Sequence, residues 1–293
     1  MIQFSTLIVG TIIDGCLFAL IAIGFVVVYR ATKVVSFAQG AFMVLGSFIF
    51  FSLTSSAGLS AVPAFVAATI AVGLIAGLTY RVTFARMVGA PPFVTAIATI
   101  GVATTIEAIA IMIWGDQAVV LPAHVVSQRT LRITGDFTTN ASGFITVALA
   151  LATILALVLA LQRTKTGLRM RVVADDSRLA AYTGVNVSRV STFAWVVGGV
   201  TAALAGIAFT LPNQPPPDST YSLGLLAFPA ILLGGFDSIV GALVGGLLIA
   251  LVENAVVTYV GGQWQEVVSY GVLLVVLFIR PQGLFGKAEV NRL

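Results

Sequence analysis

The chain has 293 residues, of which 59% are hydrophobic and only 9% charged, with a mean hydropathy of +1.07; a soluble domain has about a quarter of its residues charged. So few charges cannot clothe a water-soluble surface, so the sequence specifies an all-α polytopic membrane protein. The net charge of +4 fits loops that face anionic lipid and gives no soluble basic domain on which to place nucleic acid.

Taken in order, apolar runs fall at about 4–29, 34–53, 62–80, 93–114, 143–161, 190–211, 222–236, 239–260 and 265–280. About 20 residues are needed to cross the hydrocarbon core as a helix. The expectation is a bundle of about eight to nine transmembrane segments, in one domain covering 1–293. The first run lacks a basic leader and reads as a retained span. The seventh is short and interrupted by Pro229, Gly234 and Gly235, so it reads as a broken or re-entrant segment.

Cations follow the odd-numbered runs: Arg30 and Lys33, Arg81 and Arg86, the loop 163–189, then Arg280, Lys287 and Arg292. If all nine runs cross, these residues share one side, and only Arg129 and Arg132 lie opposite. The positive-inside rule then puts the N-terminus outside and the C-terminus in the cytoplasm of a bacterial inner-membrane protein. The largest external loop is 115–142, where VVLPAHVVSQRTLRI suits a short hairpin or an interfacial helix. A second external loop, PNQPPPDST, is stiffened by prolines.

Between the fifth and sixth runs lies RTKTGLRMRVVADDSRLAAYTGVNVSR, the one long polar interval, with six of the fifteen Lys and Arg residues. Asp176 or Ser177 can cap a short helix through Tyr182, and Gly184 sits where a left-handed glycine would stop it. A capped helix among cations suggests a docking element; the plainer reading is an ordinary connecting loop.

Ionisable groups inside spans are costly and invite a role: Asp14, Glu107, Asp237 and Glu253. For each, an interhelical hydrogen bond is the plainer explanation. Two interrupted stretches stand out more, Ser36-Phe37-Ala38-Gln39-Gly40 and Phe228 to Ser238. Broken backbone at membrane depth survives only when buried or lining a wet cavity, and a pair of breaks points to a substrate path. Ser36, Gln39, Gly40, Thr99, Glu107, Gly234, Gly235 and Asp237 are the candidate path residues, with Gln39 and Gly234–Gly235 expected at a central cavity. One cysteine (Cys16) and one histidine (His124) exclude an intramolecular disulfide or a His/Cys metal centre of the usual type, and no phosphate-binding loop or hydrolase motif is present. The chain is therefore not read as an enzyme, and no cofactor is expected on it.

Four stretches resemble the smaller permease subunit of the branched-chain amino acid class of bacterial ABC importers. They are ALIAIGFVVVYRATKVVSFAQGAFMVLGSF, GAPPFVTAIATIG, GLRMRVVADDSRLAAYTGVNVSRV and FPAILLGGFDSIVGALVGGLLIALVE. Two departures stand out: Ser36 replaces a usual Asn, and Arg178-Leu179-Ala180 stands where Glu-Ala-Ala is usual. The resemblance implies a heterodimer with a second permease, two cytoplasmic ATP-binding subunits that hold the ATP, and an external solute-binding protein. It makes 163–189 the coupling loop, with Asp175, Asp176, Arg178, Ala180, Gly184, Asn186 and Arg189 as the expected ATPase-coupling residues. Branched-chain amino acids, urea, short amides and aromatic acids all fit such a permease. The rival reading is a proton-coupled secondary transporter using Glu107 or Glu253.

Overall fold

The computed structural model describes residues 2–87, 89–117, 121–122, 130–134, 137–213 and 217–286. His124, Arg129, Asp136, Lys287 and Arg292 lie outside them. In lipid, backbone polar groups must pair within the segment, so apolar runs of this length become helices. Eleven are described: α1 (Ile2–Thr32), α2 (Gln39–Ser55), α3 (Ala61–Val82), α4 (Pro92–Trp114), α5 (Ala141–Arg163), α6 (Lys165–Asp175), α7 (Ser177–Tyr182), α8 (Val187–Asn213), α9 (Pro217–Gly234), α10 (Ile239–Tyr259) and α11 (Gln265–Ile279). Strands β1 (Thr130–Thr134) and β2 (Phe137–Asn140) pair as an antiparallel hairpin in the 115–142 loop. The expected hairpin or interfacial helix was placed on 119–133, most of which lies outside the described residues; the hairpin seen joins 130–134 to 137–140 instead.

Seven helices are long and apolar enough to cross a membrane, and α2 and α9 are shorter. The seventh run differs from the expectation of a broken segment. The α9 helix runs unbroken through Pro229 and has 18 residues, because Pro217 to Tyr221 extend it beyond the apolar stretch. At 1.5 Å per residue this is about 27 Å, close to the hydrocarbon thickness. Its stop is Gly235, whose φ of +97° belongs to the left-handed region.

The centre is α1, buried along most of its length against α8 and α10, with α2 and α3 packed on α8. Close approach rests on small residues. A Cβ on Gly246 would lie 2.7 Å from the Ala19 nitrogen, and only a glycine there lets α10 seat against α1. The outer helices α4, α5 and α11 show large apolar side chains such as Leu155, Leu274 and Phe278 to the surroundings, as lipid-facing helices do.

The helix ends sort into two groups. At one end a single cavity borders Ala31 to Val34, Tyr80, Phe84, Pro92 and Asp175 to Ser177. Lys33 also meets Asp237 there. The C-terminal segment joins this end through bonds from Leu284 N–H to the Leu233 carbonyl and from Phe285 N–H to that of Gly234. This cation-rich end therefore gathers Arg30, Lys33, Arg81, Arg86, the 163–189 loop and Arg280. At the opposite end Trp114 Nε1 donates to Ser52 Oγ, closing the ends of α4 and α2.

Candidate functional site

Both interrupted stretches lie at the cation-rich end, and they touch. The first break, 33–38, opens where Lys33 turns into the left-handed region at φ +56° and closes at Gln39, the start of α2. Part of its freed backbone is satisfied by α4, and Lys33 N–H turns back to the Tyr29 carbonyl of α1. Phe37 N–H donates to Thr99 Oγ1 at 3.1 Å, and that hydroxyl lies 3.2 Å from the Val35 carbonyl. Thr99 is fully buried, and Ser36 is almost so. The second break, 235–238, ends where Ser238 Oγ accepts from Gly241 N–H and caps α10.

Three kinds of contact join the breaks. Lys33 Nζ stands 3.6 Å from Asp237 Oδ1, both partly exposed. Phe37 stacks on Phe228 with ring centroids 5.1 Å apart, and Phe228 meets Phe236 edge-on at 5.9 Å. Tyr29 lies 4.8 Å from Phe236, and Lys33 Nζ sits 5.3 Å from the Tyr29 ring centre. An aromatic cluster is thus bounded on one side by an ion pair. Phe37, Phe228 and Phe236 are half-buried, while Phe25 behind them is fully inside. An aromatic residue in each break was the available sequence signal for this contact.

Three expected cavity residues are placed elsewhere. Gln39 is 1% exposed, and its amide donates to the Gly198 carbonyl at 3.0 Å, fastening α2 to α8. Gly235 faces the C-terminal segment, where a Cβ would come 2.6 Å from the Gly286 nitrogen, and Gly234 abuts Gly241. The reason is shared: the breaks leave close-packed backbone that the protein itself covers. Gly40 packs on Tyr221 of α9. Glu107 lies farther along α4, within electrostatic reach of Asp218 and Tyr221.

The 163–189 interval holds two helices rather than the single one expected. Thr164 Oγ1 caps α6 through Gly167 N–H at 3.1 Å, and Asp176 Oδ1 caps α7 through Leu179 N–H at 3.0 Å. Gly184, at φ +82°, ends the turn, and Val185 N–H reaches back to the Ala180 carbonyl. Asn186 caps α8 through Arg189 N–H at 3.0 Å, so its side chain serves the fold, while Arg189 is exposed. Asp175 borders a cavity of about 530 Å³ that also touches Lys33 and Thr32. This element and the first break therefore line one cavity.

Ala180 was expected on a docking face, yet it is fully buried within the chain. The exposed face of α7 presents Leu179, 62% exposed, and Tyr182, 88% exposed. Two large apolar groups three residues apart in a polar loop were the signal, masked by the alanines between them. The side chain of Arg178 lies outside the described residues.

At the opposite end, a cavity of about 470 Å³ touches Asp14, Asp218, Glu253 and Glu266. Glu253 accepts from Gln265 Nε2 at 2.9 Å and from Ser269 Oγ at 2.8 Å, tying α10 to α11. Asn254 Nδ2 donates to Asp14 Oδ2 at 2.9 Å, tying α10 to α1. Both acids thus have interhelical partners.

The family model described as "Branched-chain amino acid transport system / permease component" matches residues 7–277. The high-affinity branched-chain amino acid transport permease LivH of Salmonella typhimurium is 28% identical over 290 residues, covering 95% of this chain and 94% of that protein. BraD of Pseudomonas aeruginosa, named for the same transport system, is 28% identical over 292 residues with the same coverage. The autoinducer 2 import permease LsrC of Yersinia pestis is 28% identical over 221 residues, covering 70% of this chain and 58% of that protein. No solved structure matched the chain.

Proposed function

The chain belongs to the branched-chain amino acid transport permease family, and on that premise we propose that it is the membrane-spanning subunit of an ATP-binding-cassette importer for branched-chain amino acids or a related small polar solute. It acts as one domain and pairs with a second permease to form the path. Two cytoplasmic subunits bind and hydrolyse ATP, and an external solute-binding protein selects and delivers the substrate. The cation-rich end is the cytoplasmic one, with the N-terminus outside.

The observation that carries the reading is the exposed pair Leu179 and Tyr182 on α7, a helix whose Ala180 is buried in the permease. Exposed aromatic and aliphatic anchors of this kind mark interaction sites. A partner that moves α7 also moves α6, which shares a cavity wall with Ala31 to Val34. That motion reaches Lys33, its partner Asp237 and the Phe37–Phe228–Phe236 cluster. In this reading the cluster closes the cytoplasmic mouth of the path and parts when the ATPases change state. Thr99 holds the first break in shape while it does so.

The test is import into proteoliposomes holding the complex that co-purifies with this chain, with labelled leucine and the cognate binding protein. Import should require internal ATP and the binding protein. Import that follows a proton gradient without ATP would replace this reading with the secondary-transporter one.

A further inference from the structure

The cation-rich end carries a second, separate cavity between α1, α5, α6 and α10, with a volume of about 230 Å³. Val27, Val158, Leu161 and Ile239 form apolar walls, while Arg30, Arg171 and Gln162 supply its polar groups. No carboxylate lines it. The only ion pair among the described residues joins Lys33 to Asp237, so neither guanidinium has an acidic partner there. Val240, at the rim, is 62% exposed, and Leu155 and Leu159 continue an exposed apolar track along α5 towards mid-membrane.

Two guanidinium groups, a carboxamide and no acid, set above an apolar groove open to the bilayer, complement one class of molecule. A phosphodiester suits a site lined by two guanidiniums, whose planar donors match phosphate oxygens, and an acyl chain suits the exposed apolar side chains of α5. We propose that this groove binds an anionic phospholipid, with its headgroup phosphate at Arg30 and Arg171. The site needs neither the substrate nor the ATPase. By bridging α1 and α6, the lipid would fasten α6 to the central helix, so its loss should lower thermal stability as well as lipid retention.

The test is native mass spectrometry of the full chain with its co-purifying subunits, titrated with phosphatidylglycerol or phosphatidylcholine. Two cations near the headgroup should favour phosphatidylglycerol by about tenfold or more. Arg30→Gln with Arg171→Gln should abolish that preference, and Val240→Trp, which fills the rim while keeping both charges, should displace the same adduct. Arg86→Gln with Arg280→Gln, at the same end but outside the groove, should retain it. An unchanged preference in the first variant, or equal loss in the control, would mean that the cations act only as a diffuse field and would overturn the site. In a thermal-shift arm, phosphatidylglycerol should stabilise the complex and inorganic phosphate should not; equal stabilisation by both would assign the groove to a free anion instead.

Discussion

Lys33 and Asp237 face each other across 3.6 Å from two separate breaks in the helical backbone, more than two hundred residues apart in sequence. A pair this exposed contributes about 0–1 kcal/mol to stability, so its value lies in where it stands, beside the aromatic cluster. Lys33→Asp or Asp237→Lys alone should lower import several-fold with little change in melting temperature. The double exchange should recover it. If the double variant imports no better than the single ones, the pair is incidental to transport.

Thr99 should resist replacement by its isostere. In Thr99→Val the Phe37 N–H loses its partner in a part-buried bond, at a cost of about 1 kcal/mol or more. Thr99→Ser keeps the oxygen and should behave like wild type. Thermal unfolding of the purified complex reads the difference, and equal stability of the two variants would show that water or another group satisfies the break.

The two faces of α7 should separate in a single experiment. Leu179→Asp and Tyr182→Asp lie on the exposed face and should leave the permease inserted and stable while the ATP-binding subunits no longer co-purify. Ala180→Trp lies on the buried face and should destabilise the permease itself, since overpacking typically costs 1–3 kcal/mol or more. Gly184→Val meets no neighbouring atoms, so its effect is conformational, about 1–2 kcal/mol for a left-handed β-branched residue. Full co-purification with both Asp variants would place ATPase docking elsewhere.

Glu253 provides the contrast between ATP-driven and proton-driven transport. Its carboxylate joins α10 to α11 through Gln265 and Ser269, and such interhelical bonds are worth about 0.6 kcal/mol each, at most ~1.7. Glu253→Gln can keep one of them and should support ATP-driven import at near wild-type rate. Loss of import in that variant, with the complex intact, would revive a proton-carrying role.

Orientation should follow the cations. In a Cys16→Ser background, cysteines at Arg86 and Tyr182 should label only from the cytoplasm and one at Arg129 only from outside. Cytoplasmic labelling at 129 would invert the topology.

Sequence alone determined what is local and repetitive here. Apolar runs announce helices because lipid leaves the backbone no other partner, and the runs at 4–29, 62–80 and 143–161 became α1, α3 and α5. The cap at Asp176 and the stop at Gly184 were legible because both act within one turn of chain. Tertiary structure decided every relationship that joins distant turns. An apolar run looks alike on all sides, so nothing in it tells which face meets another helix. Hence Gln39, expected at a cavity, lies against Gly198, and Ala180 turns inward while Leu179 and Tyr182 face out. Asn254 beside Glu253 serves Asp14 of α1, whereas Glu253 finds partners on α11. The meeting of the two breaks is of the same kind. Each stretch was visible as an interruption of the apolar pattern, but they are the turns joining α1 to α2 and α9 to α10, and their shared aromatic cluster depends on those helices ending side by side, a matter of packing that no single segment encodes.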